Sequence, residues 1–379
     1  MTLALARPLT IGPLTVDPPV VLAPMAGVTD AAYRALCRSY GAGLYVSEMV
    51  SARALVEGDD GSLRRIAPAP DEPVRSIQLY AVDPDVTREA VRRLVDDAGV
   101  DHVDLNMGCP SPKVMKRGGG AALPVRTRLV AAIVRAAVEA AGPVPVTVKM
   151  RLGLDAKTLT FHEAARAARD SGAAAVALHA RTAEQLYSGH ADWTAIAELV
   201  AALPDVPVLG NGDVFDADGA LAMVAQTGCA GVVVGRGCLG RPWLFRDLAD
   251  AFAGRPVQPP PPLSEVVDVM RRHVRLLVEH KQSEHYGTRD FRKHVSWYLT
   301  GYRVGGVRRR ELAQLSSIAE ADELLGTLSG DETVSPEVVR QPRGHTHGPK
   351  PVSLPEGWLD TTDSLDVPAA GADAWTSGG

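Results

Sequence analysis

The run Val103-Asp104-Leu105-Asn106-Met107-Gly108-Cys109-Pro110 delivers an amide and then a thiol at the end of an apolar segment, and Pro110 stiffens the backbone beyond them. The stretch Lys116-Arg117-Gly118-Gly119-Gly120 follows, so the pattern reads as chemistry carried on a flexible loop over a rigid base. A lone cysteine is most often a small buried hydrophobe. Whether Cys109 is more than that depends on what the rest of the chain brings beside it.

The elements that must position these residues alternate. Val20–Met25 is a short apolar run, and Asp30–Tyr40 follows at helical spacing with Thr29 or Asp30 as its cap. Strand patterns recur at 43–47, 74–80, 102–106, 146–150, 175–179, 206–210 and 231–235. Helical patterns follow them from about Ala52 and over 84–97, 126–141, 161–170, 193–202, 216–226 and 242–252. Eight such βα units predict an α/β chain of the (β/α)8 TIM barrel class over residues 20–255, behind an N-terminal arm or hairpin at 1–19. A doubly wound sheet is disfavoured, because the turn after the first strand reads Ala23-Pro24-Met25-Ala26-Gly27 and carries no dinucleotide fingerprint. The proline run Pro259–Pro262 reads as a linker, residues 263–328 as a small C-terminal helical bundle, and residues 330–379 as a disordered tail rich in Pro, Gly, Ser and Asp. His345 and His347 in that tail are not read as a metal site.

With 379 residues and 46% hydrophobic content the chain can bury a large core. Cys37, Cys109, Cys229 and Cys238 have no CxxC spacing, which argues against a disulfide framework and against a metal. No long apolar run and no signal-like N-terminus occur, so a cytoplasmic protein without membrane association is expected. The net charge of −5 hides an uneven distribution. Residues 271–310 hold eleven Lys and Arg against three Asp and Glu, a local +8, which is either a solvated helical face or the footprint of a polyanion.

In a barrel of this class the strand C-termini form the active face. Met25, Gln78, Asn106, Lys149 and Arg151, His179 and Arg181, Asn211 and Asp213, and Gly235-Arg236 all fall at those ends. Gly210-Asn211-Gly212-Asp213 and Gly235-Arg236-Gly237 follow the seventh and eighth strands, where backbone N–H groups and Arg236 suit a phosphate. Gln78, Asn106 and Lys149 suit the polar edge of a flat heteroaromatic ring, with Met25 and Ala26 on its face. Lys149 beside the N1–C2 edge of a flavin would stabilise the reduced ring, and one phosphate site without a dinucleotide fold implies FMN.

Ala23-Pro24-Met25-Ala26-Gly27-Val28-Thr29-Asp30, Ser47-Glu48-Met49, Gln78-Leu79-Tyr80, Asn106-Met107-Gly108-Cys109-Pro110, Lys149-Met150-Arg151-Leu152-Gly153, His179-Ala180-Arg181-Thr182, Asn211-Gly212-Asp213 and Gly235-Arg236-Gly237 together resemble the bacterial tRNA-dihydrouridine synthases. Arg292-Lys293-His294 and Trp297-Tyr298 extend the match into the helical segment, and the resemblance covers about residues 10–325. It implies a tRNA partner, a uridine substrate reduced to 5,6-dihydrouridine, and NADPH or NADH as reductant. It also implies flavin contacts at Pro24, Met25, Ala26, Gln78, Lys149, His179, Asn211, Gly212, Asp213, Gly235 and Arg236. Substrate contacts are expected at Asn106, Lys116, Arg117, Arg151, Arg181, Arg292 and Lys293. Cys109 matches the family's thiol and would give a proton to C5 after hydride reaches C6, for which it must stay protonated until then. The uridine must leave its stack to reach a barrel mouth. A monomer is expected. The glycine-rich 118–120 run departs from the family pattern, and the tail beyond about residue 330 has no counterpart in the resemblance.

An FMN barrel acting on a small enone-like molecule, or a tRNA-binding protein with a degenerate flavin site, are the competing readings. The basic block argues against the first, and the presence of both Cys109 and Lys149 against the second.

Overall fold

The computed structural model describes residues 7–69, 71–328, 330–344 and 348–368. A hairpin of β1 (Leu9–Ile11) and β2 (Leu14–Val16) leads into eight parallel strands: β3 (Val20–Leu22), β4 (Leu44–Ser51), β5 (Ser76–Tyr80), β6 (His102–Met107), β7 (Val146–Arg151), β8 (Ala175–His179), β9 (Val208–Asn211) and β10 (Gly231–Val234). They close as a barrel in sequence order, with β10 returning to pair β3. Helices α1 (Ala31–Ser39), α2 (Ala52–Val56), α3 (Asp60–Ile66), α4 (Pro84–Arg92), α5 (Pro112–Met115), α6 (Thr127–Ala141), α7 (Phe161–Asp170), α8 (Trp193–Ala202), α9 (Ala217–Thr227) and α10 (Leu244–Phe252) lie between and after the strands. The fold is a (β/α)8 TIM barrel. Strand β4 runs four residues past its expected end because a bulge between Val46 and Met49 resets its register on β5. The last turn of the helix expected over 84–97 is π-type, over Arg93–Asp97.

The strand alternation explains where the polar residues go. Ile77, Leu79, Val103, Leu105, Met107, Val146, Val148 and Met150 join the core under the helices, so the residues between them on β5, β6 and β7 point into the barrel. That interior is divided. Val21 and Ala23 of the first barrel strand and its exit pack with Leu44, Ala175, Leu209 and Val233, and the hairpin residues Leu9, Ile11 and Val16 close this apolar part. Ser76, Gln78, His102, Asp104 and Thr147 form a buried polar part instead.

Beyond the barrel come α11 (Leu263–Lys281), α12 (Glu284–Tyr298), α13 (Gly306–Leu312), α14 (Ile318–Gly326) and α15 (Pro336–Val339). Val266, Met270, Phe291 and Tyr298 share one core with Tyr33 and Leu36 of α1. Tyr33 Oη donates to Cys238 O at 2.5 Å, tying the first βα unit to the last, and its ring packs against His273 of α11 and His294 of α12, so the helices are docked there. No helix among the described residues is long and apolar enough to cross a membrane.

The tail departs from the expected disorder over its described residues. Arg340 pairs with Asp216 at 2.5 Å and with Asp218 at 3.2 Å, Arg343 is buried, and Trp358 is 3% exposed against the barrel loops. Composition misleads here because a few large side chains anchor a segment that is otherwise polar. His345 and His347 lie outside the described residues.

Candidate active site

A buried chain of hydrogen bonds climbs the polar part of the barrel interior. Ser76 Oγ meets His102 Nδ1 at 2.7 Å, and His102 Nε2 meets Thr147 Oγ1 at 2.9 Å. Thr147 Oγ1 donates to Asp104 Oδ1 and Gln78 Nε2 to Asp104 Oδ2, both at 2.6 Å. Burial raises the Asp104 carboxyl to about 6, against the pull of those two donors and of Lys149, so it is a carboxylate at neutral pH. Asn106 Nδ2 then donates to Gln78 Oε1 at 2.8 Å. Parallel register makes this possible, since Gln78 lies opposite Asp104 and Asn106 opposite Lys149.

The chain ends at the main chain that carries the thiol. Asn106 Oδ1 accepts the main-chain N–H of Gly108 at 3.2 Å and of Cys109 at 3.0 Å, and Arg151 Nε donates to Gly108 O at 3.0 Å. Cys37, Cys229 and Cys238 are buried, whereas Cys109 is partly exposed on the wall of a cavity. Burial pushes the Cys109 thiol up, outweighing the Ser111 N–H and the Arg151 charge that pull it down, so it is a neutral thiol at pH 7.

That cavity has a volume of about 550 Å³, within the range of pockets for drug-sized and cofactor-sized ligands. Pro24, Met25 and Ala26 line it beyond β3, with Gln78, Asn106 and Cys109 on one side and Lys149 and His179 at its centre. Asn211, Gly212 and Asp213 after β9, and Gly235 and Arg236 after β10, line the far side. Lys149 Nζ donates to Asn211 Oδ1 at 2.9 Å, and Asn211 Nδ2 donates to Val233 O at 2.7 Å. Burial, with Arg151 nearby, lowers the Lys149 ammonium to about 8. Burial and the cations Arg151 and Lys149 hold His179 neutral.

The turns after β9 and β10 lie against each other. A Cβ on Gly237 would stand 2.1 Å from Val214 O, so this approach requires glycine. Asp213 adopts a φ of 57°, held there by the Arg181 guanidinium at 2.8 Å and by Ala191 N–H at 2.7 Å. Arg181 Nη1 and Arg236 Nη1 are buried and have no partner among the described residues. Two unsatisfied cationic donors at the cavity's far side fit a bound anion.

Arg151 and Arg181 line the cavity, but most of their donors hold its walls. Arg151 Nη1 binds Thr182 O and Leu186 O, while Arg181 binds Ser188 O, Gly189 O and Asp213. Lys293 reaches the cavity from α12, with Trp297 one turn further along the same face. Lys116 and Arg117 sit on the loop after Cys109, outside the cavity. Arg292 is also outside it and donates to Leu315 O at 2.9 Å. Tyr187 lines the cavity with its ring 4.6 Å from the Arg236 guanidinium. A single aromatic within a polar loop carries no sequence signal for that role. Glu48, within the Ser47-Glu48-Met49 motif, accepts the Gly27 N–H at 2.9 Å and so fixes the turn after β3.

Residues 21–332 match the profile of the dihydrouridine synthase (Dus) family. The chain belongs to this family. It is 52% identical to a probable tRNA-dihydrouridine synthase of Mycobacterium tuberculosis strain H37Rv, over 98% of this chain and 97% of the relative. It is 41% identical to tRNA-dihydrouridine synthase B of Xanthomonas axonopodis pv. citri strain 306, over 76% of this chain and 86% of the relative. Among solved structures, the old yellow enzyme homologue of Zymomonas mobilis superposes with a TM-score of 0.50 at 15% identity, covering 67% of this chain and 94% of that one. That likeness shows a common fold. The family match stops at residue 332, so the packed tail lies beyond it.

Proposed function

We propose that this chain is a tRNA-dihydrouridine synthase, reducing the C5–C6 bond of a uridine in tRNA with FMN as cofactor and NADPH or NADH as reductant. The observation that carries the reading is the pairing, in one cavity, of a protonated Cys109 thiol with the unpartnered donors of Arg181 and Arg236. The two arginines and the Gly212 and Gly235 turns would hold the FMN phosphate. Gln78, Asn106 and Lys149 would face the polar edge of its ring, with His179 nearby and Pro24, Met25 and Ala26 against the ring. FMN bound there and reduced would be the source of the hydride for C6 of the uracil.

The chain's own residues do the rest. Asn106 and Arg151 hold the turn at Gly108 and Cys109, so the thiol meets C5 without reorganisation. Cys109 donates its proton there as a general acid. The barrel over residues 20–255 would carry this chemistry, and the helices over 263–328 would carry the tRNA. Lys293 and Trp297 project from α12 toward the mouth, where an extruded base would enter. Exposed Arg289, Arg303 and Arg310, with Lys116 and Arg117 on the catalytic loop, would follow phosphates. The reading needs no metal, and a monomer is sufficient for it.

The test is formation of dihydrouridine in an unmodified tRNA transcript by FMN-loaded protein and NADPH, read by mass spectrometry beside Cys109→Ala. Absence of product from flavin-loaded wild type would overturn the reading, and wild-type turnover by Cys109→Ala would remove the assigned proton donor.

A further inference from the structure

The segment beyond residue 348 lies outside the family match and outside the barrel and its docked helices, yet it crosses the face that carries the site. Lys350 N–H donates to Glu184 O at 2.9 Å, in the loop after β8. Further along, Trp358 is buried among Met115, Ala121, Ala122, Val125 and Leu154. Its Nε1 donates to Ala122 O at 2.9 Å. The Arg126 guanidinium stacks 3.6 Å from the ring centroid, and Arg126 also donates to Thr361 Oγ1 at 2.8 Å and Asp366 O at 3.2 Å. An aromatic anchor, a cation on its face and hydrogen bonds on both sides key this segment into residues 115–126.

The turn so gripped is the one that backs the thiol. Ala121 N–H donates to Cys109 O at 3.0 Å. A Cβ on Gly120 would stand 2.4 Å from Cys109 O, one on Gly119 2.2 Å from the Tyr80 ring, and one on Gly118 2.4 Å from the Trp358 indole. The three glycines therefore mark three close approaches, to the strap, to the barrel wall and to the Cys109 main chain. Packing is continuous from Trp358 to Cys109, whose N–H is held from the other side by Asn106.

We propose that residues 348–368 form a strap over the catalytic loop and that Trp358 is a positioning residue for the thiol. The inference rests on the reading of Cys109 as proton donor. Without the indole, the glycine-rich turn loses its outer wall and the backbone behind Cys109 is free to move. The strap thus supplies from the C-terminus a rigidity that three successive glycines deny the loop.

The test compares Trp358→Ala and Trp358→Phe with wild type, all loaded with FMN. Expected for Trp358→Ala is a fall in kcat for uridine reduction of about 10- to 100-fold, with flavin reduction by NADPH unchanged and alkylation of Cys109 by iodoacetamide faster by several fold. Trp358→Phe should restore most of both. Wild-type kcat together with a wild-type alkylation rate in Trp358→Ala would overturn the proposal. Should Trp358→Ala fail to fold, Arg126→Gln is judged by the same two measurements. Alkylation needs no turnover, so it decides on the strap even if the wild-type protein makes no dihydrouridine, a result that would count against the functional reading alone.

Discussion

Asn106 Oδ1 accepts the N–H of Cys109 at 3.0 Å while its Nδ2 donates to Gln78 Oε1 at 2.8 Å, so one side chain ties the thiol-bearing turn to the barrel interior. Asn106→Ala frees that turn. A fall in kcat of about 10- to 100-fold is expected, since misplacement by about 1 Å costs that order. KM for tRNA should change little, because the phosphate-tracking surface is untouched; steady-state kinetics on a tRNA transcript separates the two. A variant with raised KM and normal kcat would contradict the role.

The Cys109 thiol is pushed up by burial. In the proposed role its protonated form is the active one, so this group should leave the rate level through neutral pH and remove activity as pH rises through the raised value, above the usual thiol range. Mixing pre-reduced enzyme with tRNA at pH 7 to 10 isolates this step from flavin reduction. A thiolate at neutral pH would show instead as fast alkylation at pH 7 and a rate that falls between pH 6 and 8.

Arg236 contributes an unpartnered Nη1 at the far side of the cavity. Charge-assisted hydrogen bonds are worth about 1.5–3 kcal/mol, so Arg236→Ala should weaken FMN binding by about 10- to 100-fold. Titration of apoprotein by flavin fluorescence measures this directly. Arg236→Lys should recover part of the loss, since it keeps the charge and loses the fork.

Two kinds of arginine share the basic segment. Arg289 and Arg310 are exposed, whereas Arg309 donates to Leu299 O, Tyr302 O and Val304 O. Replacing Arg289 and Arg310 together by Gln should lower tRNA affinity and flatten the slope of log affinity against log salt by about 0.7–0.9 for each phosphate no longer neutralised, with the melting temperature unchanged. Arg309→Gln should lower the melting temperature, because it removes three charge-assisted hydrogen bonds to the carbonyls of Leu299, Tyr302 and Val304. Filter binding across a salt series and thermal unfolding distinguish the two.

The barrel was legible because eight short apolar runs recur between helical patterns; on β6 Val103, Leu105 and Met107 face outward and His102, Asp104 and Asn106 inward. The polar strand ends were legible for the same reason, and Pro24, Met25, Gln78, Lys149, Asn211 and Arg236 do meet around one cavity. Sequence does not show whether an arginine faces solvent or a carbonyl, which is why Arg292 and Arg309 look like phosphate ligands until Leu315 O and Val304 O are seen beside them. Nor does it show that Trp358, alone in a segment of Pro, Gly and Asp, has a slot waiting in a distant loop. The glycines at 118–120 suggest looseness in the sequence and mark tight packing in the fold.

Asp104 touches neither cavity nor thiol, yet it dictates which way round its neighbours stand. A carboxylate only accepts, so Thr147 must offer its hydrogen and Gln78 its NH2. Gln78 is then left to show oxygen to Asn106, and Asn106 to show oxygen to Cys109. Below Thr147 the same logic makes His102 a donor through Nε2 and an acceptor from Ser76 through Nδ1. One negative charge thus gives a sense of direction to a column of groups each of which could be turned over: every donated hydrogen, from Ser76 below and from the Cys109 turn above, points toward Asp104.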